Sequence, residues 1–258
     1  MHNPNFYTIN SQGEKVLRNL EVENKEKEFT IEKYWGSENK IDDVNYMYFE
    51  NFQMYGFCDC IGSDYERYGC VIEEGDVVVD IGANIGMFTR RAIEKGASRV
   101  ISFEPMSLSY SCLVDNVGFQ AECHKIAVAS NLSIMNFVIP DSLSNLGGGT
   151  REDLAENRET AKKEVCLALG MEDLWTIGLL PNKIDFLKID CEGGEAEIIP
   201  QLTNERLLNI RKISMEYHAG ILGHEIREEF TERAASQGFN HFTFWSEDGG
   251  LIQLHLWK

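Results

Sequence analysis

Acids and a histidine recur in this chain immediately after short apolar runs. VVV precedes Asp80, VISF precedes Glu104, IDFLKI precedes Asp190 and Glu192, and ISM precedes Glu216 and His218. Apolar runs of this kind, bounded by turn residues, suit strands buried on both faces, as in a parallel sheet. Ligands of open α/β sheets lie beyond the carboxyl ends of the strands, which is where all these side chains would gather. Buried acids are costly unless they serve a purpose, so the shared edge is the first place to look for chemistry. An acid there can take a proton from a hydroxyl or anchor it by a hydrogen bond. Asp190 is the first candidate for that role, with Lys188 as its polar neighbour on the same strand face, since residues two apart share a face. Glu192 is the second, although it could instead cap the helix after Gly193-Gly194. His218 is a natural base near neutral pH, and Glu216 could orient it or bind a sugar hydroxyl. Asp190, Glu216 and His218 could also hold Mg²⁺. No fixed-spacing metal signature is present, and the expected site holds no metal.

The stretch Val77–Arg90, VVVDIGANIGMFTR, states what else binds at this edge. A buried strand runs into Asp80, a turn follows with Gly82 and Gly86, and Ile85, Phe88 and Ala92 begin a helix at helical spacing. The glycines let backbone approach a ligand without a Cβ in the way. A dinucleotide fingerprint would read G-x-G-x-x-G with pyrophosphate on the helix N-terminus. Here the order is D-x-G-x-x-x-G, with no P-loop Lys-Ser/Thr, and Asp80 would repel a pyrophosphate. The acid suits a ligand with an ammonium group and no phosphates, such as S-adenosylmethionine. Glu104 ends a second buried strand, where ribose hydroxyls are held in nucleotide-binding α/β folds. On this reading Asp80, Gly82, Ala83, Asn84, Gly86 and Phe88 surround the methionine part, and Pro105 and Met106 shape the adenine side. Main-chain groups near Ala127 reach the adenine.

Strand and helix signals alternate around these residues, the pattern of a parallel sheet. Strand Val77–Ile81 leads to helix Ile85–Lys95, and strand Arg99–Phe103 to helix Ser107–Val117, closed by Gly118. Strands follow over about Cys123–Val128, Met135–Ile139 and Val165–Leu169, with a helix over Met171–Leu180. Strand Ile184–Ile189 leads to a helix stopped near Pro200, and strand Lys212–Tyr217 to helix Glu225–Gln237. His241–Trp245 and Leu251–Leu256, around the turn Glu247–Gly250, form an antiparallel edge hairpin. The polar stretch 1–30 is a solvated segment or edge hairpin. Ser63 and Glu66 pair as a capping box at a helix start. Two stretches stand apart: the aromatic-rich Asn45–Phe57, which covers the sheet or lines a substrate mouth, and the Gly-rich Asp141–Thr150, a lid or a plain surface insertion.

VVVDIGANIG, SFEP, IDFLKIDCEGGEAEII and ISMEYH together resemble the FkbM family of S-adenosylmethionine-dependent methyltransferases, over roughly Tyr65 to His218. The resemblance implies a Rossmann-like class I methyltransferase fold: α/β, a mostly parallel doubly wound sheet with an antiparallel C-terminal edge hairpin and an N-terminal extension. Residues 1–62 would be that extension and 63–258 the cofactor-binding domain. It also implies O-methylation of sugars or polyketide-type natural products, and a cofactor pocket lined by Tyr65 and Glu66. Related methyltransferases often carry Asp or Asn at the third strand end, where this chain departs with Cys123, His124 and Lys125.

Composition bounds the alternatives. The chain has 258 residues, 43% of them hydrophobic, enough for a single decorated α/β unit with a sizeable core. A formal net charge of −18 argues against nucleic acid and against an anionic membrane surface as partners. Seven cysteines at irregular spacing read as reduced thiols, and no apolar run reaches membrane-spanning length. The expected protein is cytoplasmic and acts on a hydroxyl of a small molecule or glycan. A cofactor-binding module without catalysis, or an NAD-dependent oxidoreductase, are the competing readings. The first would lack the polar strand ends, and the second would carry the missing glycine of the dinucleotide turn.

Overall fold

A computed structural model describes residues 5–9, 14–19, 65–139, 162–245 and 251–258. The strands are β1 (Asn5–Ile9), β2 (Lys15–Asn19), β3 (Val77–Ile81), β4 (Arg99–Phe103), β5 (Glu122–His124), β6 (Ala127–Ala129), β7 (Ser133–Ile139), β8 (Lys162–Gly170), β9 (Ile184–Ile189), β10 (Ile210–Tyr217), β11 (Asn240–Trp245) and β12 (Ile252–Trp257). The helices are α1 (Met87–Glu94), α2 (Ser107–Val117), α3 (Met171–Thr176), α4 (Glu195–Ile198), α5 (Asn204–Leu208), α6 (Ala219–Leu222) and α7 (Glu225–Ser236).

The main sheet has seven strands in the order β11-β12-β10-β9-β3-β4-β5. From β10 to β5 every pairing is parallel, and β12 and β11 close the other end antiparallel. The apolar runs explain why: β3, β4 and β9 are buried along nearly their whole length, which only a sheet covered on both faces allows. The chain winds outward from β3 through β4 to β5, then returns to β9 on the opposite side of β3. The strand order therefore reverses between β3 and β9, and in such sheets the crevice at the reversal is the ligand site. The core beneath it includes Ile81, Leu187, Ile189 and Met215, all at most 1% exposed.

Two backbone crossings make that crevice. Gly82 has φ +78°, and a Cβ there would lie 1.7 Å from the carbonyl oxygen of Asp190, so the turns after β3 and β9 touch main chain to main chain. Gly86, at φ +90°, would drive a Cβ to 2.6 Å from Leu113 of α2. Both glycines are required by protein packing, a reason beyond the ligand approach that the sequence suggests.

The structure revises several sequence expectations. Cys123–Val128 is not one strand: β5 ends at His124, paired with Phe103, and β6 pairs instead with β8 in a separate three-stranded sheet of order β6-β8-β7. β8 runs longer than Val165–Leu169 because Lys162–Ala168 pairs with β7 and Ala168–Gly170 with β6. The helix after β3 begins at Met87, since Asn84 and Gly86 both take positive φ. The helix expected over Met171–Leu180 ends at Thr176. Among the described residues, no helix begins near Glu66. Residues 65–70 form a turn, and Glu66 accepts from the Ile72 N–H and pairs with Arg91 and Lys95. The short helices α5 and α6 have no counterpart in the sequence reading. β1 and β2 do form an antiparallel hairpin, tied to α2 where Asn116 donates to the Tyr7 carbonyl (2.9 Å) and Lys15 to the Ser111 carbonyl (2.8 Å). The 62/63 boundary, Ser63, the aromatic stretch 45–57, the Gly-rich loop 141–150 and the turn 247–250 lie outside the described residues.

Candidate active site at the strand-order reversal

An open cleft of about 850 Å³, counting the space at its mouth, lies over the carboxyl ends of β3, β4 and β9. One wall comes from the turns after β3 and β4: Gly82, Asn84, Glu104, Pro105 and Met106. The opposite wall comes from the turn after β9, where Asp190 and Glu192 line the cleft with Cys191, Gly193 and Glu197. The small sheet supplies the apolar side, through Ala127, Ala129, Met135 and Phe137.

Glu104 is 6% exposed. Its carboxylate accepts from the main-chain N–H of Asn84 (2.8 Å) and of Met106 (2.8 Å). Burial pushes its pKa up to about 7, against the lowering effect of those two N–H bonds. Oδ1 of Asn84 is buried without a hydrogen-bond partner. Such unfilled acceptor capacity in a cleft is what a hydroxyl-bearing ligand would fill. The residues present therefore fit a ribose-containing cofactor.

Asp80 does not line the cleft. Its carboxylate is fully buried, accepts from Thr89 Oγ1 (2.7 Å) and stands 3.2 Å from Lys188 Nζ. Thr89 also bonds Ser102 (2.8 Å), so Asp80 braces β3, α1 and β4 from within. This corrects the expectation that Asp80 holds an ammonium group directly: Lys188 already occupies that position. Lys188 is buried too, and donates to the Gly82 carbonyl at 2.6 Å. Burial alone would lower its pKa, but Asp80 and Asp190 outweigh it and hold the ammonium charged. Phe88 likewise turns away from the cleft, packing between Tyr65 (5.5 Å between ring centroids) and Phe186 (5.7 Å). Ala83 and Gly86 are packed against Leu113.

Asp190 has one oxygen tied and one free: Oδ2 accepts from the Tyr65 hydroxyl at 2.6 Å, and Oδ1 is buried with no partner. Lys188 Nζ stands 3.7 Å from Oδ2. Behind this acid sits His218, 6% exposed, with Nε2 3.3 Å from Glu192 and 3.8 Å from Glu216, and Nδ1 3.3 Å from Glu195. Burial would lower the imidazole pKa, but hydrogen bonds to Glu192 and Glu195 raise it to about 11. The carboxylates around His218 therefore favour its charged form. Glu216 has its pKa pushed up to about 8 by burial and by Asp190. Glu195, fully buried, also accepts from the N–H groups of Cys191 (2.8 Å) and Gly193 (3.1 Å), and so shapes the turn that carries Glu192 at φ +51°. Sequence reasoning missed Glu195. Its signal was an acid in the first turn of a helix, where orphan N–H groups collect. One donor atom each from Asp190, Glu192 and His218 lies within 4.8 Å of the others, close enough for one cation.

Fold and cleft together define a Rossmann-like class I methyltransferase. The methyltransferase FkbM domain model matches residues 80–245, and the chain belongs to that family. It is 26% identical over 188 residues to the 31-O-demethyl-FK506 methyltransferase FkbM of Streptomyces tacrolimicus, covering 60% of this chain and 70% of that one. It is also 26% identical over 214 residues to the AMB antimetabolite synthetase AmbE of Pseudomonas aeruginosa, covering 69% of this chain. The chain spans 10% of that synthetase's length. Among solved structures, methyltransferase FkbM from Methylobacillus flagellatus superposes with TM-score 0.50 at 14% identity, over 76% of this chain and 47% of that one. Family and fold imply S-adenosylmethionine as the methyl donor. No described helix is long and apolar enough to cross a membrane, and Cys70, Cys112, Cys123, Cys166 and Cys191 are free thiols.

Proposed function

We propose that this chain is an O-methyltransferase acting on a hydroxyl of a sugar, glycan or natural-product small molecule. The observation that carries the reading is one cleft faced by two acids, Glu104 on one wall and on the other Asp190, whose Oδ1 has no hydrogen-bond partner. When bound, S-adenosylmethionine supplies an electrophilic methyl group. The chain's part is to hold the cofactor, bring a hydroxyl oxygen into line and help remove its proton.

Glu104 would take the ribose hydroxyls, and Pro105, Met106 and Ala127 would bound the adenine. Gly82 and Asn84 would meet the amino-acid end. Asp190 is the anchor and general base for the acceptor hydroxyl, with Glu192 as the second acid at the mouth. His218 serves as a fixed positive charge that holds Glu192 and Glu216 beside it. We read the Asp190–Glu192–His218 cluster as working without a metal ion, because the sequence carries no fixed-spacing metal signature. The FK506 relative's name records O-methylation, which supports oxygen as the target atom. A net charge of −18 supports a small-molecule acceptor over nucleic acid, and a cytoplasmic site of action accords with the free thiols.

The test is transfer of labelled methyl from S-adenosylmethionine to a panel of methyl pyranosides and 31-O-demethyl-FK506, with Asp190→Asn alongside. Transfer to oxygen that falls at least a hundredfold in the variant supports the reading. Transfer to nitrogen or carbon acceptors alone, or a fully active D190N, would defeat it.

A further inference from the structure

Tyr65 lies 125 residues before Asp190 in the chain, in the turn that precedes β3, yet its hydroxyl reaches Asp190 Oδ2 at 2.6 Å. The ring is 4% exposed and packed on both sides. Its edge meets Phe88 at 76°, with centroids 5.5 Å apart, and Lys188 Nζ sits 5.0 Å from its centroid. Phe88 is in turn wedged against Phe186 of β9. From this geometry we infer that Tyr65 is a positioning residue for methyl transfer: its phenol fixes the plane of the Asp190 carboxylate and leaves the other oxygen without a protein donor.

Lys188 does not do this work. Its nearest acceptors are the Gly82 carbonyl (2.6 Å) and Asp80 (3.2 Å), and it stands 3.7 Å from Asp190. Lysine therefore ties β9 to the cofactor turn, and tyrosine aims the acid. A phenol has one proton to give, and here it goes to Asp190. Burial, Asp190 and Glu216 all push the phenol pKa well above its usual value, so Tyr65 stays a donor across the working pH range and cannot act as a base. Without it Oδ2 would be an underpartnered buried oxygen, close to Glu216, on a carboxylate free to rotate.

This role rests on Asp190 being the acid that meets the acceptor. The experiment compares wild type, Tyr65→Phe, Asp190→Asn and the double variant. It reads methyl transfer to methyl pyranosides across pH, thermal melting, and calorimetric binding of S-adenosylhomocysteine. Expected for Y65F are a rate about tenfold lower, an acid limb of the rate–pH profile moved to higher pH, and homocysteine-product affinity within about twofold of wild type. In the D190N background Y65F should remove nothing more. A Y65F enzyme with the wild-type rate and profile, beside an inactive D190N, would overturn the role of Tyr65 while leaving Asp190 in place. A fully active D190N would remove both.

Discussion

Glu104 and Asp190 each stand one residue past a buried strand and face the same cleft, but they are held in different ways. The hydrogen bonds to Glu104 come from main-chain N–H groups of its own turn and of the turn after β3. Asp190 depends on side chains, Tyr65 from before β3 and Lys188 from β9. A main-chain cradle survives most substitutions around it, which suits a cofactor common to a family. A side-chain cradle can be rebuilt residue by residue, which suits the proposed acceptor end of the cleft. The contrast predicts that substitutions spread unequally: those at the Glu104 end change cofactor affinity, and those at the Asp190 end change rate and acceptor choice.

The largest expected effect joins the two ends. Gly82→Ala places a Cβ 1.7 Å from the Asp190 carbonyl at φ +78°, so the variant should lose cooperative unfolding by circular dichroism. Gly223→Ala, at φ +72° but with nothing within 4 Å, should cost only about 1 kcal/mol and serves as its control. Near-equal melting temperatures for the two would break the idea that the turns are locked together. Next comes Lys188→Met, which leaves Asp80 and Asp190 without their buried counter-charge and should destabilise the protein by about 3–5 kcal/mol in chemical denaturation.

A smaller effect separates the ends by pH. The Glu104 pKa is raised to about 7, and only its carboxylate accepts two ribose hydrogen bonds, so binding should strengthen as pH rises through 7. Affinity for S-adenosylhomocysteine should be roughly tenfold weaker at pH 6 than at pH 8, from the protonated fraction alone. A flat affinity profile would mean that the ribose does not meet Glu104. The His218 charge, with a pKa near 11, should contribute no step to the rate–pH profile between about pH 6 and 8. Smallest of all, EDTA should leave the rate unchanged. A loss restored by Mg²⁺ would convert the Asp190–Glu192–His218 cluster into a cation site.

How much of this was legible in the sequence follows the same division. VVVDIG, VISFE and IDFLKID read directly because uniform apolar runs and a following acid are local patterns, and the main sheet assembles from them. The positions of Glu104 and Asp190 at one edge follow from the fold class alone. What the acids touch did not follow. Lys188 and Asp80 lie far apart in the chain, as do Tyr65 and Asp190, and no local period announces either pair. His218 reads as a neutral-range base until Glu192 and Glu195 are seen around it. The small sheet was missed because Glu122–His124 and Ala127–Ala129 are too short, and too close together, to signal that they pair with different partners. Phe88 has the spacing of a helix facing its strand, and that face proved to be core.

The measurement that bears most directly on the account is calorimetric titration of wild-type protein and Glu104→Gln with S-adenosylhomocysteine, with NAD as control. The account predicts binding at micromolar concentration for wild type, a roughly tenfold or greater loss in the variant, and no heat with NAD. NAD binding, or product affinity indifferent to Glu104, would contradict it.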